Sequence, residues 1–331
     1  EEEQSGKAVG VAFCVMSRRS GHALRAAIRE TWAQRVLATA GATLRFFVGS
    51  ADGAAIVDGD AADVVELNAP EAYKAVTLKA FSMLAWAHRA FPSLRFLVRS
   101  DDDVYLRPGP LFAQLERRPP VAYLWGNFDH GSNPVRDPEH PHYNSYDQFP
   151  KRKHPLFGDI FPPYARGHLW AMSADLLARV VDVWRGELLR HPDVSLELAG
   201  RLPHPDDPAL GVAVASLVEE DGVSVNIDDR DLNVFSLNPS CNATYLNIHR
   251  RTWVVHHVDV AAMHCMWRVD TEAPEQADLA ASGAAAAGSG GGGGPPESLP
   301  DLCPCSMEVV EEVMEGPDDE PFDYPRGRFN E

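Results

Sequence analysis

The first fifty residues set the rhythm of the chain. An apolar run over 9–16 (VGVAFCVM) gives way to a Ser/Arg/Gly loop, then to apolar positions at helical spacing over 24–38, then to a second apolar run at 45–48 that ends in Gly49-Ser50. Short apolar runs bounded by turn residues predict strands covered on both faces, and the 3.6-residue period between them predicts a helix. A third strand is expected over 63–67. From 71 to 91, Tyr73, Val76, Thr77, Ala80, Met83, Leu84 and Ala87 recur at helical spacing and predict one long helix. Residues 96–98 form a further apolar run, and a short helix is expected near 110–116. Strands alternating with helices of this length predict βαβ units around a mostly parallel sheet, an α/β fold.

After residue 121 the pattern turns irregular. Pro, His, Asn and Tyr crowd 129–164, and a long irregular stretch inside a compact domain predicts a functional loop. Helical spacing returns over 174–189 and 208–219, and late strands are expected at 232–237 and 253–258. An Ala/Gly run at 280–296 marks low complexity, so 271–331 is expected to be a disordered tail. The expected division is a loose polar segment over 1–7, one folded domain over 8–270, and that tail.

Charge sharpens this division. Of the net −18, residues 271–331 hold −12, from fourteen Asp/Glu and two Arg, and the first 270 residues hold −6. A mildly acidic body without a basic stripe excludes nucleic acid as a partner. No run approaches 18 apolar residues, no signal pattern opens the chain, and the first residue is Glu. A fragment or processed form whose anchor was removed is therefore expected, with cytosolic residence as the competing reading. Among the five cysteines, Cys241 and Cys265 are candidates for a disulfide in an oxidising compartment, and Cys14 is expected as a buried thiol. Cys303-Pro304-Cys305 lacks the partners of a zinc site. Asn242-Ala243-Thr244 is an N-glycosylation sequon if the chain is secretory.

Four constellations carry candidate chemistry. Asp101, Asp102 and Asp103 follow the apolar run 96–98, at the carboxyl end of a strand, where open α/β sheets bind ligands. In an extended chain Asp101 and Asp103 face one way and Asp102 the other. Two carboxylates facing one point suit a hard divalent cation whose shell is completed by substrate phosphate; the alternative is a solvated acidic turn. Asp206 and Asp207 precede a helical segment, where a carboxylate is either a cap or a general base, with Asp207 as the base and Asp206 as orienting or capping group. Arg25 and Arg29 share one helix face, which meets an anion or solvent. His256 and His257 end an apolar run, as metal ligands or as structural groups.

Seven segments share an order and spacing that resemble the β-1,3-galactosyltransferase-like enzymes of glycosyltransferase family 31: RAAIRETW (25–32), FFVGS (46–50), EAYKAVTLKAFSMLAW (71–86), VRSDDDVYL (98–106), FPPYARGHLWAMSADL (161–176), PDDPALG (205–211) and VVHHVDVAAMHCMW (254–267). The resemblance implies a GT-A fold, a Rossmann-like α/β sheet with an acceptor-binding half, over a catalytic domain of 8–270. It implies an inverting transferase moving a hexose from a UDP-sugar to a hydroxyl of a glycan or glycoprotein acceptor in β-1,3 linkage, with galactose as the first expectation and N-acetylglucosamine as the alternative. By position it makes Asp101, Asp103 and His257 the metal site, for Mn²⁺ or else Mg²⁺, with His256 as the alternative to its neighbour. Asp207 becomes the catalytic base. Arg25, Arg29, Trp32 and Asp102 fall on the nucleotide-sugar side, and Tyr164, Gly167, Trp170 and Asp206 in the pocket for donor sugar or acceptor.

The irregular segment 129–164 would then supply acceptor contacts or a closing loop. The resemblance further implies the Golgi lumen, as the lumenal part of a type II membrane protein. Two motifs depart from the usual form, with Gly167-His168-Leu169-Trp170 where a Gly-Gly-Tyr-like run is frequent, and Asp206-Asp207-Pro208 where Glu-Asp is frequent. Two readings from other classes compete: a noncatalytic glycan-binding protein that keeps the fold, and a metal-dependent hydrolase in which Asp103 and Asp207 activate water.

Overall fold

Ala12, Phe13, Cys14 and Val15 are all fully buried, so β1 (Val11–Met16) is covered on both faces, as strands of parallel sheets are. It pairs in parallel with β2 (Ala42–Ser50) on one side and β4 (Phe96–Asp101) on the other, and β2 pairs in parallel with β3 (Val64–Pro70). Beyond β4 the sheet continues through β7 (Tyr164–Ser173), β6 (Tyr123–Asp129) and β8 (Asn226–Asp229), giving the order β3-β2-β1-β4-β7-β6-β8. In this sheet β7 runs against the other strands. The α/β class and the mostly parallel sheet expected from the sequence are thus present. The computed structural model describes residues 9–50, 62–150, 159–190, 202–230, 235–236 and 252–272. The loose segment 1–7, the tail from 273, the sequon at Asn242, and Cys241, Cys303 and Cys305 lie outside the described residues.

Two apolar layers sandwich the sheet. On one face Cys14, Leu97 and Met172 pack with α3 (Val76–Ala90), α5 (Ala174–Arg190) and α6 (Asp206–Glu220), through Leu84, Leu177 and Leu210. On the other face Phe13, Val15 and Val98 pack with α1 (His22–Glu30), α2 (Ala33–Ala38), α4 (Pro108–Glu116) and α7 (Val260–Glu272), through Ile28, Trp32, Leu111 and Met263. A single helix was expected over 24–38. Instead it breaks where the Thr31 hydroxyl bonds back to the Ala27 carbonyl at 2.6 Å and the Thr31 backbone leaves the helical region at φ −121°, ψ −116°. The break turns Trp32 inward, fully buried.

A small second sheet sits at the carboxyl end of the first. In it β10 (Val254–Val255) runs antiparallel to β5 (Tyr105–Leu106) and parallel to β9 (Phe235–Ser236). The strand expected over 253–258 is cut to two residues because the chain turns at His257, whose φ is 57°. α7 is held to this sheet by Arg107, which donates twice to Asp270 at 2.8 Å, and by the Tyr105 hydroxyl, which donates to Asp270 at 2.8 Å. The β5–β10 pairing therefore brings the segment after Val255 beside the segment before Tyr105, which contains the three aspartates.

Candidate active site

Met16 pairs with Asp101 across β1 and β4, so the loop after β1 and the acidic turn after β4 leave the sheet side by side. Strand order reverses at this point, and such switch points are where open α/β sheets bind ligands. Buried polar groups fix the loop. Arg25 is fully buried and donates to the Ser17 hydroxyl at 2.8 Å, to the Arg19 carbonyl at 3.2 Å and to the Arg18 carbonyl. The Ser17 hydroxyl in turn donates to Asp102 at 2.6 Å. Lys79, 6% exposed, donates to the Ser17 carbonyl at 2.5 Å and to Glu71 at 2.8 Å, and the other oxygen of Glu71 accepts the Gly49 N–H at 2.6 Å. The Lys79–Glu71 ion pair thereby ties the carboxyl ends of β1 and β2 together, and the Ser17 hydroxyl ties them to the acidic turn. Burial lowers the Lys79 pKa, and Glu71 and Asp102 pull it back up.

The residues expected on the nucleotide side divide. Arg25 shapes the loop through its buried bonds. Trp32 donates its Nε1–H to the Val104 carbonyl at 3.0 Å and so holds the chain just past the aspartates. Arg29 pairs with Asp63 through two hydrogen bonds of 2.8 Å and lies 4.8 Å over the Phe46 ring. Its guanidinium is thus committed to the β2–β3 side. Asp102 turns toward Ser17, away from its two neighbours; burial pushes its pKa up against the pull of the Ser17 bond.

Asp101 and Asp103 face the histidines. Asp103 lies 3.4 Å from His256 Nε2 and 3.3 Å from His257 Nδ1, and Asp101 lies 4.0 Å from His256 Nε2. Successive side chains of an extended strand point apart. Here the left-handed backbone at His257 brings both imidazoles to Asp103, with the rings stacked 3.8 Å apart. For a non-glycine residue that conformation costs roughly 1–2 kcal/mol. Donor atoms of Asp103, His256 and His257 all lie within 4.8 Å of one another, a spacing that fits one metal ion. Burial would raise the Asp103 pKa, but the two histidines outweigh it and hold the carboxyl well below its ordinary range. His168 of β7, 4% exposed, stacks behind His256 at 5.3 Å.

A single guanidinium joins this cluster to the second pair of acids. Arg99, 2% exposed, places Nη2 at 2.9 Å from both Asp101 and Asp206. Its Nε and Nη1 make no hydrogen bond among the described residues. Beside it, at the first turn of α6, Asp207 accepts the Gly167 N–H at 2.7 Å. A Cβ on Gly167 would lie 2.2 Å from the Asp207 carboxylate and 2.8 Å from Arg99 Nη1, so glycine is what lets the carboxylate approach β7. Gly211, one turn further along α6, lets the helix press on Tyr164 in the same way, since a Cβ there would come within 2.7 Å of the Tyr164 Cβ. Burial and the adjacent Asp206 push Asp207 up to about 8, and burial pushes Asp101 up to about 6 against the pull of Arg99.

The remaining expected pocket residues separate as well. The Tyr164 hydroxyl meets the Ser132 hydroxyl at 2.8 Å, on the rim, whereas Trp170 is 3% exposed and packs in the core behind the site. Reasoning from sequence missed Arg99, Lys79, Glu71 and His168. The first two carried a signal: a cation inside an apolar strand or on the buried face of an apolar helix requires a buried partner.

With this geometry in view, likenesses to known proteins carry weight. The protein family described as Galactosyltransferase matches residues 23–196, more than half of the chain. The chain is 24% identical over 267 residues to beta-1,3-galactosyltransferase GALT1 of Arabidopsis thaliana, covering 77% of this chain and 36% of that protein. It is 28% identical over 169 residues to beta-1,3-galactosyltransferase 4 of Homo sapiens, covering 42% of this chain and 43% of that one. Human lactosylceramide 1,3-N-acetyl-beta-D-glucosaminyltransferase is 24% identical over 123 residues, covering 36% of this chain and 31% of its own length. The chain thus spans less than half the length of these relatives. On the family match, which contains Arg25, the acidic turn and Gly167, the chain belongs to the galactosyltransferase family.

Proposed function

We infer that the chain is the catalytic domain of an inverting, metal-dependent hexosyltransferase that moves galactose from a UDP-sugar to a hydroxyl of a glycan acceptor in β-1,3 linkage. The observation that carries the reading is Asp207, half-buried at a helix start with its pKa pushed up to about 8, beside Asp206, which Arg99 links to Asp101 next to the Asp103–His256–His257 cluster. Asp103, His256 and His257 would hold the ion, and one carboxylate with two imidazoles suits Mn²⁺ better than Mg²⁺, which favours oxygen ligands. Bound there, a divalent ion supplies charge to neutralise the leaving diphosphate. Ser17, Arg25, Lys79 and Asp102 shape the switch-point crevice for the nucleotide. Asp207 takes the proton of the acceptor hydroxyl as its oxygen bonds to the sugar C1, and the C1–O bond to the diphosphate breaks with its electron pair leaving on UDP. Displacement from the opposite face inverts the anomeric centre. Arg99 bonds Asp206 and Asp101, while Asp207 accepts the Gly167 N–H.

The Golgi lumen is the proposed location. Cys265 is disulfide-bonded, as an oxidising lumen allows. Among the described residues no helix is long and apolar enough to cross a membrane. The test is UDP release from a panel of UDP-sugars with β-galactoside, GlcNAc and GalNAc acceptors, in Mn²⁺ or EDTA, alongside Asp103→Ala and Asp207→Asn. Acceptor-stimulated, Mn²⁺-dependent release lost in both variants supports transfer and identifies the donor, with UDP-GlcNAc as the alternative. No release from any UDP-sugar, together with no Mn²⁺-dependent UDP binding by calorimetry, refutes it in favour of a noncatalytic glycan-binding protein.

A further inference from the structure

Two aromatic rings at the rim of the site have no part in the chemistry above. Tyr73, in the 3-10 turn Tyr73–Ala75 that leads into α3, is 52% exposed, and His142, in the loop after β6, is also exposed. Their ring centroids are 5.9 Å apart and their planes lie within 32° of parallel. Beneath them His204, 4% exposed, stands edge-on to Tyr73 at 5.0 Å and 87°, and 6.4 Å from His142 at 70°. His204 is three residues before Asp207. An edge-to-face contact of this kind fixes the supported ring.

The loop that carries His142 is locked to the same segment. The His204 N–H donates to Asn144 Oδ1 at 2.8 Å, and Asn144 Nδ2 donates back to the His204 carbonyl. Asn144 is 1% exposed. Gln148 donates to the Leu202 carbonyl at 3.0 Å, and Arg136 holds the loop from within by donating to the carbonyls of Asn144, Ser145 and Phe149 at 2.8, 2.9 and 2.8 Å. The ring pair is therefore rigid with respect to the amino end of α6 and its Asp207. Exposed aromatic faces held at a fixed place, on a segment that leads directly into Asp207, are what a preorganised binding surface requires.

We propose that Tyr73 and His142 form an acceptor subsite that takes a pyranose residue of the glycan receiving the sugar. The inference rests on the transferase reading above and adds where the acceptor is held. A pyranose has an apolar C–H face and a polar rim. An aromatic ring with a polar tip matches both, since the ring face covers the C–H groups while the Tyr73 hydroxyl and the His142 nitrogens reach the hydroxyls. Because the loop is already ordered, little entropy is lost when the sugar docks. The donor side is built from other residues, Ser17, Arg25, Lys79 and Asp102, so loss of the shelf spares donor binding.

The test uses Tyr73→Ala, His142→Ala and the double variant, whose surface positions leave the melting temperature near that of the wild type. With saturating UDP-galactose and Mn²⁺, p-nitrophenyl β-N-acetylglucosaminide and a β-galactoside are titrated as acceptors. The acceptor KM is expected to rise about tenfold in Tyr73→Ala, further in the double variant, with donor KM and acceptor-free UDP release within twofold of wild type. Saturation-transfer NMR of the same glycosides provides a second readout that needs no turnover, and its signal is expected to fall in the variants. Unchanged acceptor KM and unchanged transfer signal in the double variant overturn the subsite while transfer itself stands. A glycoside signal that depends on Tyr73 in a protein without transferase activity keeps the subsite and refutes the enzyme. Absence of both activity and glycoside signal in the wild type overturns both.

Discussion

Gly167→Ala isolates the position of the base from its chemistry. The added methyl would begin 2.2 Å from the Asp207 carboxylate oxygen and 3.0 Å from its carbon, while unstrained contacts at these atoms need more than 3 Å. The carboxylate must therefore move by about 1 Å, and a displacement of that size costs about 100-fold in rate when the moved group takes part in the reaction. Movement also breaks the 2.7 Å bond from the Gly167 N–H, and together with the local overpacking this costs about 1–3 kcal/mol of stability. The assay is Mn²⁺-dependent UDP release under saturating acceptor, paired with UDP affinity by calorimetry and a thermal melt. The expected outcome is a kcat about 100-fold down, with UDP affinity unchanged and a lowered melting temperature. Gly109→Ala serves as the control, because a Cβ there meets nothing within 4 Å. A Gly167→Ala protein whose kcat stays within threefold of wild type refutes Asp207 as the base.

Further outcomes follow from the same geometry. Because an ionised Asp207 is required and its pKa is pushed up to about 8, kcat/KM is expected to rise between pH 6.5 and 9 in step with that ionisation, and a flat profile over this range excludes the role. The same shift has a sign in stability. The folded state holds a proton that the unfolded chain gives up near pH 4, so this group stabilises the fold at low pH and loses that contribution as pH rises toward 8. Asp207→Asn is therefore expected to melt above the wild type at pH 9, with the gap closing by pH 5, as followed by circular dichroism. Lys79→Met leaves Glu71 half-sequestered without its cation and is expected to cost about 3–5 kcal/mol in urea unfolding, with much of the loss recovered in Glu71→Gln/Lys79→Met. His256→Ala and His257→Ala are each expected to weaken Mn²⁺ binding by at least tenfold in metal titrations, and an effect confined to one of them excludes a shared site.

The parallel half of the fold was legible because β1 and β4 are short apolar runs between polar turns. Two central strands, β6 and β7, escaped notice. Both are buried on each side, so no alternation marks them, and both carry interior glycines, Gly126 and Gly167, that read as loop residues. A Cβ on Gly126 would crowd the Ala165 and Trp170 Cβ atoms at 3.1 and 3.2 Å, and one on Gly167 would take the space that Asp207 occupies. Neither requirement exists before the strands meet.

The acids and late histidines of the site were visible as clusters in sequence. What was not visible is that His256 and His257 converge on Asp103 together, since that depends on one left-handed residue. The partnership of Arg99 with Asp206, 107 residues away, likewise exists only once β4 and α6 are adjacent.

Neither Glu71 nor Lys79 can drift alone through evolution. The ammonium holds the end of β1, the carboxylate holds the end of β2, and each neutralises the other largely out of water. Loss of the lysine strands a carboxylate, and loss of the glutamate strands a cation beside the loop that faces the nucleotide crevice. Lineages that change this corner are expected to replace both positions together, or to pass first through glutamine at 71. Positions 71 and 79 would then appear as a covarying pair in an alignment of orthologues, although neither bears on the chemistry of the transferred sugar.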